Sequence, residues 1–115
     1  MAASQARFIQ VQTTVEREED ARVLAGALVA ERLAACAQIV GPIESIYWWR
    51  DAVAGAREWL VLLKTTDTGW APLEGRLREL HPYEEPEIVG LAIGPASASY
   101  LAWIKASVGG GEPAP

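Results

Sequence analysis

The 115-residue chain holds one imidazole, His81, and one thiol, Cys36. His81 lies in LRELHPYEEPEIV, residues 77–89, followed closely by Tyr83 and the acids Glu84, Glu85 and Glu87. A neutral imidazole binds copper or zinc, a thiolate binds soft ions, and a carboxylate such as Glu84 supplies a hard oxygen. A firm metal centre needs three or four ligands at fixed spacing. No H-x-x-H, C-x-x-C or H-E-x-x-H is present. His81, Cys36 and Glu84 are therefore the candidate metal ligands, and folding must gather them from separate segments. Each has a structural reading beside the functional one. His81 precedes Pro82, so it ends a helix, where the dipole favours it. Cys36 reads as a small buried hydrophobe, unless a cation such as Lys64 activates its thiol. Lys64 closes the apolar run LVLLK and must reach solvent or an acid, with Glu84, Glu85 or Glu87 as partners. The acidic run Glu84-Glu85-Pro86-Glu87 reads as a solvated loop, and it lacks the D-x-D spacing of hard-ion loops. No phosphate loop and no nucleophile elbow is legible, so no enzymatic activity is expected.

The elements that must position these residues follow from periodicity. RFIQVQTT alternates, with Ile9, Val11 and Thr13 on one face and Gln10 and Gln12 on the other, which predicts a strand. Acids at Glu16, Glu18, Glu19 and Asp20 open a helix whose stripe is Ala21, Leu24, Ala25, Leu28 and Val29. CAQIVGPIESIYWWRD and REWLVLLKTT predict two strands of a long hairpin, kinked at Gly41-Pro42 and turning around Gly55. Trp70, Leu73, Leu77 and Leu80 mark a second helix, capped by Asp67 or Thr68. PEIVGLAIG predicts a fourth strand with Pro86 at its start. SASYLAWIKASV predicts a last helix capped by Ser97 or Ser99 and burying Tyr100, Trp103 and Ile104. The order is β-α-β-β-α-β-α. Its first six elements match an α+β, ferredoxin-like βαββαβ arrangement with an antiparallel sheet and an extra C-terminal helix.

In that arrangement one sheet face carries the helices and the other meets water. The hairpin is too apolar for this. Tyr47, Trp48 and Trp49 are consecutive, so at least one aromatic turns from the helices. WLVLL and IVGLAI are apolar on both faces. An aromatic side chain can bury about 150–250 Å², and a second copy of the chain is the simplest cover for such a surface.

Length and composition bound the rest. One domain over residues 1–108 is expected, with the Gly/Pro-rich residues 109–115 as a disordered tail. Half the residues are hydrophobic, enough for a core without disulfides. The net charge is −5 and the ten basic residues are scattered, which argues against nucleic acid. No apolar run is long enough to span a bilayer, and MAASQAR has no signal-peptide core. One unpaired cysteine fits a reducing compartment, and a cytoplasmic location is expected.

The segments AERLAACAQIVGPIESIYWWR, LLKTT, ELHPYEEPEIVGLAI and YLAWIKASV, in this order and spacing, resemble the CutA divalent-cation tolerance family from about Phe8 to Val108. The resemblance implies a ferredoxin-like homotrimer whose hairpins pack between subunits, linked to tolerance of copper and other divalent metals. It implies no organic cofactor. It also implies a cleft between subunits that gathers His81, Tyr83, Glu84, Glu87, Trp49, Lys64 and Cys36, and that takes Cu(II), another divalent cation or a small ligand. The family's copper sites are associated with a first-strand cysteine and two adjacent histidines. This chain has Thr13 and Leu80 at those places and keeps only His81, so weak metal binding is expected. Similarity of the trimer to PII signal proteins implies the competing role, a signalling module that binds a small ligand without a physiological metal.

Overall fold

A computed structural model describes residues 8–109. In β1 (Phe8–Val15) the side chains of Val11, Thr13 and Val15 are fully buried, while Gln10 and Gln12 on the other face are half-buried. α1 (Glu18–Ala30) follows. Its N-cap, Arg17, makes no side-chain cap, and Glu18, Glu19 and Asp20 in the first turn complement the dipole instead. Ala21, Leu24, Ala25 and Leu28 form its buried stripe. β2 (Cys36–Trp49) and β3 (Ala52–Thr66) make the long hairpin. α2 (Trp70–Leu80), β4 (Val89–Ala92) and α3 (Ala98–Ser107) complete the chain.

The four strands lie in the order β2-β3-β1-β4, every neighbour antiparallel. Val11, Val61 and Leu63 from the sheet meet Leu24 and Leu28 of α1 and Leu73 and Leu77 of α2 in one apolar cluster. Each such side chain gains roughly 1.5–3 kcal/mol from burial. α3 joins a second, smaller cluster, in which Ile104 meets Ala35, Val108 and Phe8. Phe8 alternates with Ile9, which packs on the main core, so α3 covers one end of the opposite sheet face. No helix among the described residues is long and apolar enough to cross a membrane.

Four local expectations are corrected. The hairpin turns at Arg50-Asp51, not around Gly55. Trp49 pairs with Ala52, and both turn residues have positive φ (52° and 66°), as a two-residue turn matching the strand twist requires. Gly55 sits inside the ladder opposite Ile46. α2 starts after Gly69 with no side-chain cap, because the Thr66 hydroxyl accepts the Gly69 N–H and Asp67 Oδ1 accepts the Thr68 N–H in the preceding turn. β4 begins at Val89, so Pro86 lies in the loop before it. On α3, Ile104 alone of the three predicted residues is buried. Tyr100 and Trp103 stack on each other, exposed. The Ser97 cap is present, its hydroxyl accepting the Tyr100 N–H. Of the proposed tail, Gly109 is described and donates its N–H to Arg32 O, while residues 110–115 lie outside the described range, as does MAASQAR.

The hairpin outruns the rest of the sheet. β1 pairs with β3 from Phe8–Thr66 to Val15–Trp59, and among the described residues Ala52–Glu58 have β2 as their only strand neighbour. At the same level the β2–β3 register shifts between Val40 and Ile43, where Gly41-Pro42 interrupts the ladder. Among the described residues no helix covers the ribbon beyond that neck. Tyr47, Trp48 and Trp49 all stay exposed, and Ile46, Trp48 and Val53 are 76%, 74% and 63% accessible.

Candidate functional site

His81 closes α2 as expected. Its N–H donates to Leu77 O, and Pro82 ends the helix. The imidazole turns inward and is buried. Nε2 stands 3.1 Å from Thr14 O and 2.9 Å from Thr13 Oγ1. A carbonyl can only accept, so Nε2 carries the proton. Nδ1 is then free to accept the Tyr83 N–H at 3.1 Å. The tautomer is therefore set by two backbone groups. Burial pushes the His81 pKa below its ordinary value, against the opposing pull of the Thr14 carbonyl, Glu58 and Asp20.

Tyr83 continues the network. Its ring lies 4.9 Å from the imidazole at a 59° tilt. Its hydroxyl donates to Glu58 Oε2 at 2.6 Å, the short distance of a bond to a carboxylate. Glu58 is only 5% exposed. Burial, and then the adjacent carboxylate, push the Tyr83 hydroxyl pKa well above the ordinary tyrosine range. A continuous chain of hydrogen bonds thus runs from Thr13 and Thr14 in β1, through His81 and Tyr83, to Glu58 in β3. Sequence reasoning missed Glu58 and Thr14. The available signal was a carboxylate beside the apolar run WLVLL, since an acid at the start of such a run needs a donor.

The remaining candidates lie elsewhere. Lys64 pairs across the ladder with Cys36 on one side and Gln10 on the other, so all three occupy the sheet face away from α1 and α2. Thr13, which bonds His81, points to the opposite face. One chain therefore separates Cys36 from His81 by the thickness of the sheet. Cys36 Sγ lies 3.8 Å from Tyr100 Oη. Lys64 Nζ donates to Gln38 Oε1 at 3.0 Å and is bonded to none of the three glutamates expected for it. Glu87 accepts a hydrogen bond from Gln12 Nε2 at 2.9 Å, and Glu84 is exposed. Trp49 stands at the hairpin end with the Arg50 guanidinium 5.3 Å from its ring centroid.

Among the described residues, no three of His, Cys, Asp and Glu converge in a way that could hold a metal ion. His81 has no spare lone pair, since Nε2 is protonated and Nδ1 accepts from Tyr83. It could ligate an ion only by giving up the Tyr83 bond. A single chain thus brings together His81 and Tyr83 but leaves Cys36, Lys64 and Trp49 apart from them.

Comparison with known proteins agrees with this architecture. The family described as CutA1 divalent ion tolerance protein matches residues 9–107. The divalent-cation tolerance protein CutA of Thermus thermophilus is 47% identical over 96 residues, covering 84% of this chain and 93% of that protein. The rice protein CutA 1, chloroplastic, is 38% identical over 99 residues, 86% of this chain but 56% of the rice sequence. The solved structure of the Thermus thermophilus divalent cation tolerance protein superposes with a TM-score of 0.86 at 45% identity, covering 89% of this chain and 99% of the other.

Proposed function

The chain belongs to the CutA1 divalent ion tolerance family, and from that premise we propose that it is a divalent-cation tolerance protein working as a homotrimer of ferredoxin-like subunits. The strand order β2-β3-β1-β4 with two helices on one face supports the subunit assignment. The observation that carries the assembly is the bare hairpin. Ile46, Trp48 and Val53 lie exposed in the ribbon beyond the neck. Each would gain roughly 1.5–3 kcal/mol from burial, and another chain is the available cover.

In this reading the clefts between subunits take a divalent cation, Cu(II) foremost, at low affinity. Cys36 and Glu84 from neighbouring chains are the proposed ligands. His81 adds to them only by exchanging its bond to Tyr83, which accounts for weak binding. The role is binding rather than catalysis, in the cytoplasm, with no organic cofactor. Calorimetric titration of metal-free protein with Cu(II) and Zn(II) tests it. A weak saturable Cu(II) heat that falls in Cys36→Ala and in Glu84→Ala is expected. Equal, non-saturating heats in all three proteins would contradict it.

One observation favours a second reading, a PII-like trimer that binds a small anion. The Lys64 ammonium has a neutral partner, Gln38, on a sheet face rich in apolar side chains. Covered by another copy, it would need a counter-charge. Thermal stabilisation by an anionic metabolite in the presence of a chelator, lost in Lys64→Ala, would select this reading over the metal one.

A further inference from the structure

The hairpin of residues 43–58 is joined to the body by a neck that is weak in three ways. β1 stops at Val15, opposite Trp59, the β2–β3 ladder is irregular between Val40 and Ile43, and a two-stranded ribbon alone is marginal in water. Among the described residues, one side-chain hydrogen bond links residues 43–58 to anything outside them, that of Tyr83 Oη to Glu58 Oε2. No ion pair among those residues does so. Glu58 lies at the neck itself, opposite Ile43. Tyr83 is anchored in turn by its N–H to His81, and His81 by Nε2 to Thr13 and Thr14 of β1. The two ends of this bonded chain are fixed on different strands, one in the body and one at the neck.

We propose that Thr14, His81, Tyr83 and Glu58 form a strut that sets the angle of the hairpin to the sheet and so presents Ile46, Trp48 and Val53 in the one orientation another copy can cover. Tyr83 and Glu58 are its positioning residues. The bond is made to a buried carboxylate, so its loss removes a charge-assisted contact and leaves the acid without its donor. The hairpin then swings about its neck, and assembly must restore the orientation each time. The role in assembly rests on the homotrimer proposed above; the stiffening of the hairpin does not.

The test compares wild type with Tyr83→Phe, Glu58→Met and Glu58→Gln by amide hydrogen exchange and by sedimentation. Tyr83→Phe and Glu58→Met break the bond from either end. Exchange over residues 43–58 is expected to accelerate about tenfold or more in both, the loss of one charge-assisted bond, with core amides of Val11, Val61 and Leu63 unchanged. Their subunit dissociation constant is expected to rise by a similar factor. Glu58→Gln keeps an acceptor for the hydroxyl and is expected to stay within about threefold of wild type on both measures. If either breaking variant folds and leaves hairpin exchange at the wild-type rate, or accelerates core and hairpin equally, there is no strut. Glu58→Gln behaving like Glu58→Met also overturns it. A wild type that sediments as one chain removes the homotrimer reading, while the exchange comparison still decides the strut.

Discussion

Replacing His81 by alanine separates the structural role of this imidazole from a metal-binding one. The side chain makes three polar contacts, at 2.9 Å to Thr13, 3.1 Å to Thr14 and 3.1 Å from Tyr83. A net hydrogen bond contributes about 1 kcal/mol, and a buried group left without a partner costs about 1–3 kcal/mol. A partly collapsed cavity adds to this. The three bonds alone come to about 3 kcal/mol for His81→Ala, with the unpartnered groups and the cavity in addition. At about 0.2 kcal/mol per kelvin for a domain of this size, the midpoint should fall by about 15 °C or more. The assay is thermal or guanidinium unfolding at one fixed chain concentration, because subunit association shifts apparent stability. It is run with excess chelator and again with Cu(II). The loss should be nearly the same in both, since the bonds concerned are to protein groups and Cu(II) ligation by His81 is weak in the proposed reading. A loss below about 1 kcal/mol in chelator would exclude a structural role for the imidazole, and so would a loss confined to Cu(II).

Other consequences follow from the same network and its neck. His81 has a depressed pKa in the folded chain, so its contribution to stability is complete above its ordinary value of 6.5 and is lost as pH falls below it. An acid unfolding profile should therefore steepen from about pH 6.5 downward, and His81→Ala should flatten that limb. Tyr83 has the opposite sign. Its folded pKa is raised above 10.0, so stability is complete below pH 10 and declines as the solution becomes more alkaline. Tyr83→Phe should weaken that alkaline decline. At the neck, a Cβ on Gly41 would stand 2.5 Å from Trp59 Cε3 and 2.8 Å from Cδ2. Gly41→Ala should thus cost about 1–3 kcal/mol in denaturant unfolding through overpacking, whereas Gly26→Ala, where nothing lies within 4 Å, should cost nothing.

The sequence was most legible where burial imposes a period. The alternation of Val11 and Thr13 with Gln10 and Gln12, and the stripe of Leu24 and Leu28, are carried directly into the sheet and α1. The kink at Gly41-Pro42 was legible because proline removes a ladder donor. The turn was misplaced because Gly55 is the obvious punctuation, while Arg50-Asp51 adopts left-handed geometry without a glycine. The exposure of Tyr100 and Trp103 was not legible from helical spacing alone, since α3 has a small surface to bury against. At the site, His81 and Tyr83 were visible as a local motif. Their partner Glu58 was not, because nothing local links positions 25 residues apart. The separation of Cys36 from His81 by the sheet follows from register, which a single sequence read by period does not supply.

Sedimentation equilibrium of the wild type and of Trp48→Lys, at micromolar chain concentration, tests most directly whether another chain covers the hairpin. The wild type should have the mass of three 12.4 kDa chains, and Trp48→Lys should dissociate toward one while keeping its circular dichroism. A well-folded wild type at the mass of one chain, its hairpin bare in solution, would contradict the account.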